Sequence, residues 1–225
     1  MTEKKKQTLF ILLIVGILLV GIITSGIIWW VSIESNKHIV KFYDDLNSPI
    51  TEYKVKDGEP VFFDKSLAVL KNRVFKGWDK NLSSIEEDTE VHPIYQSIAK
   101  DPNVFYIDTY YVNGGDDIWI DLKIGGIIDT TTAKIGIAYD SDVLTYLESN
   151  SSEYLFSPIE VKDEYLILHF DFTNKDIQNG TIVRLHFECK DVEFITTDLP
   201  IDLLNVQSKD GLTDSTSVKG NIYIY

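Results

Sequence analysis

Hydrophobic positions along the chain follow two regimes. The first is Leu9–Val31, apolar throughout except for its glycines and the pair Thr24-Ser25. At about 1.5 Å per helical residue this run reaches about 34 Å, enough for a hydrocarbon layer of about 30 Å. A cleaved signal peptide has a shorter apolar region that stops at small residues. Here Ile27, Ile28, Trp29, Trp30 and Val31 continue past the small residues. The pattern therefore predicts an uncleaved transmembrane signal anchor over 9–33. The second regime fills the rest of the chain: short segments with period-two alternation, separated by Asp, Asn, Gly and Ser. Ile118, Ile120, Leu122 and Ile124 form one such set; Ile135, Ile137 and Tyr139 another; Leu166, Leu168, Phe170 and Phe172 a third; Val183, Leu185 and Phe187 a fourth. This predicts a mainly β chain. A short helix is expected only around Lys65–Leu70.

The alternation breaks once, at QSIAKDPN over residues 96–103, which contains Pro102. The predicted organisation is a cytoplasmic tail (1–8), the anchor (9–33), a small β unit (37–96), a linker (97–103) and a β-sandwich (104–225). Lys4, Lys5 and Lys6 keep the N-terminus cytoplasmic and put both β units outside the cell. Trp29 and Trp30 then lie at the outer interface as anchors, and residues 9–31 contact the lipid bilayer.

Charge narrows the choice of partner. Thirty-five acidic residues against 21 basic ones give a net charge of −14, which repels nucleic-acid backbones. The single cysteine, Cys189, sits on the apolar side of its strand and allows no disulfide within the chain. His38, His92, His169 and His186 show no metal-binding spacing, and neither a nucleophile elbow nor a phosphate loop is present. Asp140 and Asp142 suit a turn; a structural Ca²⁺ there is the less favoured role. No catalytic residue, metal site or cofactor is assigned, and the chain reads as a non-enzyme.

Two stretches resemble known families. Val40-Lys41-Phe42-Tyr43-Asp44, Val55-Lys56-Asp57-Gly58-Glu59, Phe75-Lys76-Gly77-Trp78-Asp79, Leu82-Ser83, Thr89-Glu90-Val91 and Tyr95 follow one another as in an internalin-type B repeat. This module, also called the Listeria–Bacteroides repeat, is a small β-grasp-like unit of bacterial surface proteins. Residues 67–73 depart from its pattern. In so small a unit one buried aromatic dominates the core, with sugar stacking the functional alternative for Trp78, and Gly77 beside it relieves a bulge or admits another segment. Residues 104–225 resemble a cohesin-like or related carbohydrate-binding-module sandwich, an antiparallel jelly roll. The resemblance rests on Ile118–Ile124, the run AKIGIAYDSDVL from Ala133 to Leu144, and GTIVRLHFECK from Gly180 to Lys190. It implies a dockerin-like protein module, bringing its own calcium, or a glycan as partner.

Five outward positions form the candidate binding face: Trp119, out of phase with Ile118 and Ile120; Tyr165, Ile167 and His169; and Tyr223, opposite in phase to Ile222 and Ile224. Clustered on one sheet, they would make an aromatic patch. The expected function is that of a membrane-anchored extracellular surface protein acting by adhesion or scaffold recognition without catalysis. The alternative is a structural spacer or envelope-assembly component with no ligand of its own.

Overall fold

A computed structural model of the chain describes residues 16, 20–21, 36–63, 67, 70–150, 152–192 and 195–225. The anchor expected over 9–33, with Trp29 and Trp30, and the short helix expected around 65–70 lie almost wholly outside these residues. From residue 36 onward every regular element among the described residues is a strand.

The N-terminal unit contains β1 (Lys37–Tyr43), β2 (Pro49–Lys56), β3 (Arg73–Trp78), β4 (Thr89–Val91) and β5 (Pro93–Ser97). Alternation in β1 buries Val40 and Phe42. The hairpin to β2 is closed by Asp44, whose carboxylate accepts from the Leu46 and Ser48 N–H groups, with Asn47 at positive φ. β1 pairs antiparallel with β2 and parallel with β4, while β3 and β5 form a separate antiparallel pair. Trp78 fills the small core between them, with ring centroids 4.9 Å from Phe42, 4.7 Å from Phe63 and 5.3 Å from Phe75.

The C-terminal unit runs through β6 (Val104–Tyr106), β7 (Tyr110–Val112), β8 (Asp117–Gly125), β9 (Thr132–Ala138), β10 (Leu144–Ser149), β11 (Glu160–Lys162) and β12 (Tyr165–Asp171). It continues with β13 (Gly180–Cys189), β14 (Ile195–Leu199), β15 (Ile201–Ser208), β16 (Gly211–Leu212), β17 (Thr216–Val218) and β18 (Gly220–Ile224). Two five-stranded sheets, β10-β13-β8-β6-β17 and β11-β12-β9-β15-β16, enclose one core, and a three-stranded sheet, β14-β18-β7, completes the unit. The alternating sets read from the sequence supply that core: Ile120, Leu122, Ile124, Ile135, Ile137, Leu166, Leu168 and Leu185 are fully buried or nearly so. Cys189 is part of it, and burial, helped by Asp116 and Asp117, pushes its thiol up to about 11, which keeps it protonated and inert.

The sandwich is not purely antiparallel. β6 pairs parallel with β17 and β7 parallel with β18. Val104 faces Thr216 and Tyr110 faces Ile222, so the first and last segments of the unit run side by side in a single register. Period-two alternation is blind to strand direction, which is why an antiparallel arrangement was expected throughout.

The segment expected as a linker over 97–103 is packed. Ile98 is fully buried in a cluster with Val74, Val104 and Tyr106, and the Asn103 carboxamide bonds Asp129 and Asp214. β3 therefore lies against the outer side of β6, and the two units share an interface.

Candidate partner-binding face

Sheet β11-β12-β9-β15 presents a surface whose composition follows from register. Ile135 and Ile137 point inward, so Lys134, Gly136 and Ala138 point outward on β9. Their neighbours on β12 are His169, Ile167 and Tyr165, and Ile167 is in turn flanked by Glu160 on β11. Asp202 faces Gly136 from β15. A Cβ on Gly136 would collide with the Tyr165 phenol, so glycine lets that ring lie flat across β9. The Tyr165 hydroxyl then donates to Asp202 Oδ2 at 2.9 Å. Burial under this arrangement, followed by the Asp202 carboxylate, pushes the phenol up to about 12, so it remains a neutral donor at physiological pH.

The apolar centre is Ile167, of which 8% is exposed. His169 Nε2 lies 3.6 Å from Glu160 Oε1. At the margin stands Phe156, 77% exposed, held in place by its N–H donating to the His169 carbonyl at 2.8 Å. Lys134, Lys162, Glu160 and Asp202 complete a polar rim. An apolar, aromatic centre inside a charged rim is the composition of protein-recognition surfaces.

The five candidate positions are not gathered on one face. Tyr165, Ile167 and His169 share the surface just described. Trp119 lies on the opposite sheet, where its indole stacks on the His186 ring at 4.4 Å and 8°. Arg184 covers the same indole at 5.8 Å and pairs with Asp121 at 2.9 Å, while Asp117 lies 3.3 Å from His186. Lys123, two residues beyond Asp121 on the same strand, is only 3% exposed. Its Nζ pairs with Asp108 at 2.5 Å beneath the N-terminal unit. Tyr223 belongs to the third sheet and stacks on Tyr111, 5.0 Å away, at the junction between units. All five alternate with core residues along their strands, but the assembly of strands into sheets separates them. Phe156 and Gly136 were missed. A glycine inside an apolar strand, as in KIGIAY, marks a close approach and is the signal that points to Gly136.

Asp140 acts as a turn residue: its carboxylate accepts from the Asp142 N–H at 2.9 Å and its carbonyl accepts from Leu144. Among the described residues no group of three or more His, Cys, Asp or Glu side chains gathers into a metal-binding cluster.

No protein-family model and no curated protein matches the sequence. Solved structures do resemble the fold. A cohesin seen in a type I cohesin–dockerin complex from Clostridium thermocellum matches 56% of this chain and 100% of its own, at 16% identity and a TM-score of 0.50. The sixth cohesin of scaffoldin B from Acetivibrio cellulolyticus, in complex with a dockerin, covers 55% and 99% at 20% identity and a TM-score of 0.48. A non-cellulosomal cohesin from the archaeon Archaeoglobus fulgidus covers 55% and 91% at 13% identity and a TM-score of 0.49. At these identities the likeness is one of fold: the chain carries a cohesin-like β-sandwich.

Proposed function

We propose that this chain is a single-pass bacterial surface protein that recognises a small protein module through the outer face of β11-β12-β9-β15, without turnover. The observation that carries this reading is Tyr165 laid flat over Gly136 beside Ile167, with exposed Phe156 at the margin and a charged rim around them. The other large sheet is a poorer docking surface: β6 is covered by the N-terminal unit, and Trp119 is occupied by His186 and Arg184. A cohesin-like sandwich and solved cohesin–dockerin complexes of the same fold support a dockerin-like partner that carries its own calcium. In this reading residues 1–8 remain cytoplasmic, 9–33 anchor the chain through the bilayer, and the internalin-type unit at 37–96 holds the sandwich away from the membrane.

The test is calorimetric titration of the full chain with a panel of calcium-loaded dockerin modules. At least one should bind, and Phe156→Ala combined with His169→Ala should weaken it at least tenfold without changing the melting temperature. Failure of every module to bind, or binding indifferent to these changes, rejects the reading in favour of a spacer without a ligand.

A further inference from the structure

A row of side chains crosses the outer face of β11-β12-β9-β15 in a single register. Leu155 forms a bridge with Phe170 and continues the line of β11, so Phe156 stands beside His169. His169 is the cross-strand neighbour of Lys134, and Lys134 that of Asn205. The β15 register shifts between Leu203 and Asn205, and the residue this bulge lifts out of the ladder is Leu204, 48% exposed. The row therefore reads Phe156, His169, Lys134, Leu204, with an apolar side chain at each end and a lysine between them. Lys134 forms no ion pair among the described residues. The acidic side chains on the same face are engaged elsewhere. Glu160 lies 3.4 Å from Lys162 and 3.6 Å from His169. Asp202 accepts from the Tyr165 hydroxyl, and Asp171 from the Thr173 N–H.

We propose that the partner lays a helix across these strands, with apolar residues near its two ends and an acidic residue on Lys134 between them. This rests on the partner-binding role proposed for the same face, and it specifies what that partner presents. The line of Phe156 and the line of β15 are three strand spacings apart, about 14 Å at about 4.8 Å each. A helix rising about 1.5 Å per residue covers that distance in about nine residues, so both anchors and the acid fall on one helical face. The middle of a sheet face offers no main-chain N–H or C=O to an extended segment, whereas a helix satisfies its own. In a chain of net charge −14, an unpaired cation at the centre of the face is the position at which the partner's charge is read. A carboxylate there gains an ion pair. A basic residue in the same place sets two like charges together as the interface dries.

Calorimetric titration of the full chain tests it with two sets of calcium-loaded dockerin modules. The sets are matched in apolar residues, but the centre of the recognition helix is acidic in one and basic in the other. The acidic set is expected to bind at least tenfold tighter. Lys134→Glu should reverse that preference, and Lys134→Gln should reduce it to less than threefold. Leu204→Ser should weaken the acidic set at least threefold and leave the preference in place. Lys134→Gln, which adds no charge, decides the matter if Lys134→Glu does not fold. Tighter binding of the basic set by the wild type overturns the inference and leaves the partner-binding role standing, as does a preference indifferent to the Lys134 variants. Binding indifferent to Leu204→Ser overturns the crosswise placement of the helix. Failure of every module to bind overturns both the inference and the role it rests on.

Discussion

Gly77 shows how one position joins two parts of the molecule. Its φ of 121° lies where side chains other than glycine's are strained, and the β3–β5 register shifts between Phe75 and Gly77. The bulge turns Trp78 into the small core, and the Tyr111 hydroxyl lies against it, 3.4 Å from where a Cβ would stand, an ordinary contact distance. Glycine is therefore required by the backbone of the bulge, while the Tyr111 hydroxyl from the other unit rests beside it. Gly77→Ala should cost about 1–3 kcal/mol, the usual range for a residue forced into a sparsely populated conformation. Urea denaturation of the full chain measures this, and a loss below about 0.5 kcal/mol would mean that the bulge adapts without strain. The sequence already pointed to a core role for Trp78 and to a bulge or close approach at Gly77. That the approaching residue is Tyr111 depends on a contact made across 34 positions of chain, which no local pattern encodes.

Between neighbouring strands the same logic governs Gly136 and Tyr165. These residues sit on β9 and β12, and the ring of one occupies the space of the side chain the other lacks. Gly136→Ala should destabilise the chain by about 1–3 kcal/mol, as overpacking does. In a Tyr165→Ala background the same change should cost almost nothing, because the obstructing ring is gone. A double-mutant cycle gives the coupling directly, and additive effects would show that the two residues do not compete for the same space. The strands themselves were legible because one face of each is buried. Ile118–Ile124 and Leu166–Phe172 alternate for that reason, with Tyr165, Ile167 and His169 on the other face of β12. Partner strands were not legible. Alternation fixes the side of a residue but not the sheet it joins, so Trp119 and Tyr223 were grouped with residues that lie on other sheets. Strand direction was equally hidden, and the parallel β6–β17 and β7–β18 pairings appear only once both ends of the unit are in place.

Across the whole molecule, Asp108 links the two units. It lies in the break between β6 and β7, where Oδ1 accepts the Phe75 N–H at 2.8 Å and Oδ2 pairs with the buried Lys123 at 2.5 Å. The Phe75 carbonyl completes the junction by accepting the Thr109 N–H at 3.0 Å. A lysine ammonium this deeply buried is costly without its counter-charge, so the docking of β3 and the pairing of Lys123 depend on one carboxylate. Asp108→Ala should cost about 3–5 kcal/mol, the range for removing one partner of a buried pair. Lys123→Met added to it should recover most of that loss, since the orphaned charge is then gone. The Phe75 N–H would still lack its acceptor, so contact between the units should remain weakened in the double variant. Differential scanning calorimetry separates these effects: one cooperative transition is expected for the wild-type β units and two for Asp108→Ala. Lys123→Met should raise the C-terminal transition again without merging the two. Two transitions already present in the wild type would show that Asp108 does not couple the units. A loss under about 1 kcal/mol in Asp108→Ala would show that water, rather than this carboxylate, stabilises the ammonium.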